Sequence, residues 1–275
     1  MKKIKTIILV SLVAAAAVWN CHRQGNEATS AKAELTSSTH KSDCPETSPV
    51  RLLDVIIPSA LPSQIKEYRG FVLSFNKTNH TPNYVAWELL PEETEGISSR
   101  SGKFWQDPDI EGCPSTADYV RSGFDRGHIC PAADQKWDPQ AMTDCFVMAN
   151  ICPQDHNLNA GAWATLEKRE RRWAQENNGL IIIAGPIYTD NDTRTIGQTQ
   201  VRVPSAFFKV MLSHRDHRPS AVAAVYPNMP AHGNMTDYFM TVDQLEEITG
   251  YDFFHALPDD IENSVEATFN PKDWK

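Results

Sequence analysis

An α+β domain, with a central, mostly antiparallel sheet flanked by helices, is the fold class the sequence predicts. Short apolar runs of strand length dominate the middle of the chain, and a few stretches carry helix caps and stops. The composition, 41% hydrophobic and 22% charged, is ordinary for a globular domain. At 275 residues there is enough chain to bury a sizeable core.

The elements follow in order. Residues 1–20 read as an export signal: Lys2, Lys3 and Lys5 precede an apolar run from Ile7 to Val18, with small residues at Ala14 to Ala17. That run is short for a membrane span. Cys21 follows directly, so a lipid anchor on Cys21 and plain secretion stand as alternatives, although Val18-Trp19-Asn20 fits a lipoprotein cleavage box poorly. Residues 21–50 are rich in Ser, Thr, Glu, Ala and Lys without apolar period, which predicts a flexible leader or tether. The folded domain then occupies 51–275. A strand is expected within Ile65 to Phe75 and a second over Tyr84 to Leu89, joined by turn chemistry at residues 76–83. Residues 91–117 are polar, with Gly and Pro, and predict a long surface loop.

Asp125 to Ile129 predicts a short strand, and Cys145 to Ala149 lies in a further apolar stretch. Asn157 or Asn159 is then expected to cap a helix to about Asn177, stopped by Gly179. Strands are expected at Leu180 to Ala184, Val201 to Leu212 and Ala221 to Tyr226. Thr241, with Gln244 three residues on, forms a capping box for a helix through Ile248.

The formal net charge is −9 and the pI about 5.5. This argues against gripping nucleic acid by bulk electrostatics but leaves room for a local basic groove. Six cysteines in an exported chain favour disulfides. Cys130, Cys145, Cys152, His128 and His156 also raise zinc, but single cysteines rather than Cys-x-x-Cys pairs fit it badly.

One constellation carries chemistry. Asp125-Arg126-Gly127-His128 is followed by Asn150, then Asn159, then Glu167. A histidine that takes a proton from water, an amide oxygen for a hard cation and a nearby carboxylate are the parts that cut a phosphodiester. Arg126 is suited to clamp a phosphate bidentately. On a regular helix Asn159 and Glu167 lie about 80° apart, so both could face one site. The plainer alternative makes Asn159 an N-cap and Glu167 a surface partner of Arg171. Lys168, Arg169, Arg171 and Arg172 form either a solvated face or a rail for a nucleic-acid backbone. Trp105, Trp137 and Trp163 are candidates for stacking bases, with core packing the better reading of Trp163.

Taken jointly, Asp-Arg-Gly-His, a Phe-x-Met-x-Asn strand ending in Pro-Gln, an asparagine opening a helix and Trp-x-x-Leu-Glu within it resemble the DNA/RNA non-specific endonuclease family of the ββα-metal superfamily. The likeness covers roughly residues 68–260. It implies His128 as general base, Asn159 as metal ligand, Glu167 as holder of the metal's water shell, and catalytic places for Arg126 and Asn150. More loosely, Arg100 with Phe104 and Asp107 is similar to a phosphate-contacting segment. Residues 250–254 and 257–259 resemble the family's last helix and tail. The implied cofactor is Mg²⁺, with Mn²⁺ as the alternative. The implied substrates are DNA and RNA, cut internally to leave 5′-phosphates. An exported location, periplasmic, surface-anchored or secreted, follows from the N-terminus. Two rivals remain: a phosphodiesterase for a smaller phosphoester, and a catalytically dead nucleic-acid-binding protein on the same fold.

Overall fold

The computed structural model describes residues 52–96, 98, 102–189, 191, 193–213 and 218–275. The export signal and leader therefore lie outside the described residues, as does Arg100. The strands are β1 (Gln64–Glu67), β2 (Val72–Asn76), β3 (Thr81–Leu89), β4 (Asp125–His128), β5 (Ile151–Gln154), β6 (Leu180–Ile187), β7 (Thr195–Ile196), β8 (Val201–Arg202), β9 (Ala206–Ser213), β10 (Ser220–Pro227) and β11 (Phe239–Met240). The longer helices are α1 (Pro139–Asp144), α2 (Ala164–Asn177), α3 (Val242–Thr249) and α4 (Asp259–Ala267). The predicted α+β class is what the chain adopts: a seven-stranded sheet, ordered β1-β2-β3-β6-β9-β10-β11, with every pairing antiparallel.

Side chains alternate across this sheet, so its central strands feed two cores. Val85, Trp87, Ile182, Phe207, Met211, Val222 and Tyr226 face one core, which α2 covers with Leu166, Trp173 and Ala174. Tyr84, Ala86, Ile181, Ile183, Phe208 and Val210 face the other, covered by Val242 and Leu245 of α3 and Ile261 and Val265 of α4. Coverage on both faces explains why β6 reads as an unbroken apolar run although its neighbours are antiparallel.

Several boundaries differ from expectation, each for a physical reason. Ile65 to Phe75 holds two strands rather than one, turned at Tyr68 to Gly70. β3 begins at Thr81, inside the predicted turn, because a shift in register after Ser74 accommodates Pro82. Val201 to Leu212 breaks into β8 and β9 at residues 203–205, where Pro204 has no N–H to give to a ladder. The 91–117 segment is not a surface loop throughout. It opens with a 3₁₀ turn at Pro91–Glu95, buries Asp107, Ile110 and Cys113, and bridges Trp105 to Val147. Residues 250–254 lie in the link between α3 and α4, not in a helix. Cys113, Cys130, Cys145 and Cys152 are buried thiols rather than disulfides, packed as small apolar groups in the core.

Candidate active site

β4 and β5 form their own antiparallel hairpin, pairing Asp125 with Gln154 and His128 with Ile151. Only Gly127 lets the strands close here, because a Cβ at 127 would sit 2.6 Å from Gln154 Cβ. After β5 the chain turns directly into helix. The cap is Asp155, whose side chain accepts the N–H groups of Asn157 (2.8 Å) and Leu158 (3.1 Å). Neither Asn157 nor Asn159 caps, which corrects the expectation. One turn, His156–Leu158, is followed by a widened turn at Asn159–Trp163, with Gly161 at φ −107°, ψ −105°, and then by α2. The whole is a strand–strand–helix unit. The widened turn also voids the 80° estimate between Asn159 and Glu167, which assumed a regular helix.

Freed from capping, the Asn159 side chain turns back to β4. Its Nδ2 donates to Asp125 Oδ2 at 2.9 Å. A carboxylate accepts only from the amide nitrogen, so the amide oxygen points away from Asp125. The same Oδ2 meets His156 Nδ1 at 2.9 Å. Asp125 is thus an orienting residue, a role the sequence alone did not assign to it. The signal available was its place three residues before His128 on one strand.

Arg126 and His128 alternate onto the other side of β4. Both meet Phe104: the His128 ring at 5.3 Å between centroids, the Arg126 guanidinium carbon at 5.4 Å. Phe146 packs edge-on to His128 at 4.9 Å. The long 91–117 segment therefore delivers one wall of the site. Arg126 Nη2 donates to the Thr116 carbonyl at 3.0 Å, while its Nε is buried without a hydrogen-bond partner.

Asn150 has a different place from the one expected. It is fully buried just before β5. Its Oδ1 accepts from the Cys130 N–H (2.9 Å), and its Nδ2 donates to the carbonyls of Cys130 (2.9 Å) and Cys145 (2.8 Å). Both amide protons are committed to backbone, so Asn150 pins the exit of β4.

Glu167 is half-buried on α2. Burial pushes its carboxyl up to about 7, opposed by Lys209 and reinforced by Asp134 and Glu170. Lys209 of β9 is wholly buried, 2.6 Å from Glu170 and with its Nζ 4.7 Å from the Trp163 ring centroid. Arg171 does not pair with Glu167. It reaches Asp134 at 2.7 Å, and Asp134 also accepts from Trp87 Nε1. The basic run on α2 is thereby divided: Arg171 is structural, Arg172 pairs with Glu176, and Arg169 lies over Trp173. Trp163 is core, as expected, and Trp105 gives its N–H to Thr143.

The donor set suits a hard cation. Asn159 offers an amide oxygen facing away from Asp125, and Glu167 a carboxylate, both of the oxygen type such a cation takes. Among the described residues, the cysteines and histidines weighed for zinc form no converging group of three.

A strand–strand–helix unit with this histidine and asparagine, mounted on an antiparallel sheet, is the architecture of a ββα-metal nuclease. Residues 53–260 match the family model for DNA/RNA non-specific endonucleases, and the chain belongs to that family. It is 34% identical over 207 residues to the mitochondrial nuclease EXOG of Danio rerio, covering 69% of this chain and 60% of that protein. Against mitochondrial endonuclease G of Bos taurus it is 30% identical, with 68% of each covered. A nuclease of Nostoc sp. is 30% identical, with 72% of this chain and 75% of that protein covered. Among solved structures, a chain from the EndoG/EndoGI complex, described for the mechanism of EndoG inhibition, superposes with a TM-score of 0.67 at 27% identity, covering 72% and 89%. The chain spans about 60% of the length of the EXOG relative.

Proposed function

We propose that this chain is a metal-dependent endonuclease that hydrolyses DNA and RNA internally and leaves 5′-phosphates. The observation that carries the reading is the carboxylate of Asp125, which turns the Asn159 amide oxygen outward from the strand that also ends in His128. Asn159 and Glu167 would hold the cation, Mg²⁺ or Mn²⁺, which when bound offsets negative charge on the scissile phosphate. His128, gripped by Phe104 and Phe146, takes the proton from the attacking water. Arg126, anchored through Nη2 to the Thr116 carbonyl, offers its guanidinium charge to a phosphate oxygen. Asp125 sets the pose of Asn159, and Asn150 sets that of the hairpin.

None of these groups reads a base, so cleavage should show little sequence preference and little preference of sugar. Supercoiled plasmid and a long RNA, each incubated with Mg²⁺ and with EDTA, test the reading. Both substrates should be cut, EDTA should stop cleavage, and the new 5′ ends should be substrates for ligase without prior phosphorylation. Intact plasmid under all divalent ions would favour the binding-protein alternative. Hydrolysis only of small phosphoesters would favour the other rival.

Export is a second element of the proposal, supported by the basic start and apolar run of residues 1–20. The buried thiols lend it no weight, and the relatives EXOG and endonuclease G are described as mitochondrial. Mass spectrometry of native protein should show either a diacylated Cys21 or a new N-terminus. An intact Met1 would overturn it.

A further inference from the structure

On the face of the sheet opposite to α2, helices α3 and α4 pack side by side over the second core. Three carboxylates meet there: Asp243 and Glu246 from α3, and Glu266 near the end of α4. One oxygen from each lies within 4.8 Å of the others. Asp243 is exposed, Glu246 half-buried and Glu266 only 6% exposed.

An acidic cluster alone signifies little, since solvated carboxylates often crowd on helices. Glu266 is different. Its Oε1 is enclosed and accepts no hydrogen bond. Burial, reinforced by the negative charges of Glu246, Glu262, Asp243 and Asp252, pushes its carboxyl up to about 8. Glu246 is itself a carboxylate, and its Oε1 accepts from the Phe253 N–H at 2.8 Å. A buried carboxylate facing other carboxylates without a donor is among the most costly arrangements a core can hold. A proton or a cation can neutralise it, and a cation also draws the Asp243 and Glu246 oxygens to the same point.

We propose that Asp243, Glu246 and Glu266 form a second divalent-cation site, of calcium type, that ties α3 to α4. Oxygen ligands about 2.4 Å from Ca²⁺ lie at most about 4.8 Å apart, a bound that the three oxygens meet. Ligands drawn from two separate helices suit a cation that tolerates irregular shells better than Mg²⁺, which demands near-octahedral order. The exposed Asp243 side leaves room for water to complete the shell. The ion stabilises the fold rather than the chemistry, since the α3–α4 pair and the β4–β5–α2 unit lie over opposite cores.

The test is calorimetric titration of the full chain with CaCl2, with thermal melts alongside. An Asn159→Ala background removes the candidate catalytic ligand. In that background one Ca²⁺ per chain should still bind, and Tm should rise by about 5–10 °C at a concentration a hundredfold above Kd. Glu266→Gln should lose that equivalent and the shift, melt without calcium no lower than its parent, and in the wild-type background keep full plasmid cleavage in Mg²⁺. Asp243→Asn, at an exposed position, should weaken calcium binding without threatening the fold. Absence of stoichiometric calcium binding in the Asn159→Ala protein, or unchanged binding in both carboxylate variants, would overturn the proposal. Plasmid cleavage by wild type would meanwhile report separately on the nuclease reading.

Discussion

Asp125→Ala is the perturbation that most sharply probes how the site is built. Asp125 touches neither substrate nor water in the proposed chemistry. It accepts two hydrogen bonds on one oxygen, from Asn159 Nδ2 and His156 Nδ1, both at 2.9 Å. The bond from Asn159 is a charge-assisted one, worth about 1.5–3 kcal/mol in a protein. Without it the amide rotates, and its oxygen faces outward for only part of the time. At about 1.4 kcal/mol per decade, the loss corresponds to roughly 10- to 100-fold in metal affinity. The deficit should therefore appear at limiting Mg²⁺ and shrink as Mg²⁺ is raised, with KM for DNA little changed. Asp125→Asn should lose less, since a carboxamide oxygen can still accept at the same point. Plasmid nicking across a Mg²⁺ series, with a thermal melt as fold control, measures all of this. An Asp125→Ala enzyme with the wild-type Mg²⁺ dependence would refute the orienting role.

Other outcomes follow from the buried charges and thiols. Lys209→Met strands Glu170 in the core and should cost about 3–5 kcal/mol, whereas Lys209→Met with Glu170→Leu should recover much of it; chemical denaturation of the three proteins checks this. Glu167, with its carboxyl raised to about 7, ionises in the unfolded chain before it does in the folded one, so metal-free protein should lose stability as pH rises from about 4.5 to 7. Glu167→Gln should flatten that part of the pH–stability curve. Reducing agent should leave the melting temperature of the folded domain unchanged, because Cys113, Cys130, Cys145 and Cys152 are thiols; a fall of several degrees would contradict this.

What could be read in advance was local. β6, β10 and α3 were legible because their signals lie within the element: an apolar run, another apolar run, and the Thr241–Gln244 capping box. The helix stop was legible too, with Asn178 left-handed and Gly179 after it. What failed depended on distant partners. Arg171 has Glu167 four residues away, yet it pairs with Asp134, 37 residues off, because that carboxylate is buried and needs a cation more. Asn159 looked like a cap because Asn caps well, but Asp155 stood four residues earlier with the stronger acceptor. Asn150 looked chemical because of its motif, but its backbone partners at Cys130 and Cys145 become visible only once the chain has folded. Phe104 came in through a segment whose polarity suggested a surface loop. The buried Ile110 and Cys113 show that a minority of apolar residues is enough to dock it.

The central claim is that His128 moves the proton during phosphodiester hydrolysis. Single-turnover cleavage of a labelled DNA duplex by His128→Ala, at saturating Mg²⁺ and enzyme, tests it most directly. The account predicts a rate lower by about 10² to 10⁴, DNA binding and melting temperature near wild type, and partial recovery with added imidazole. Cleavage by His128→Ala within a few-fold of wild type would contradict it.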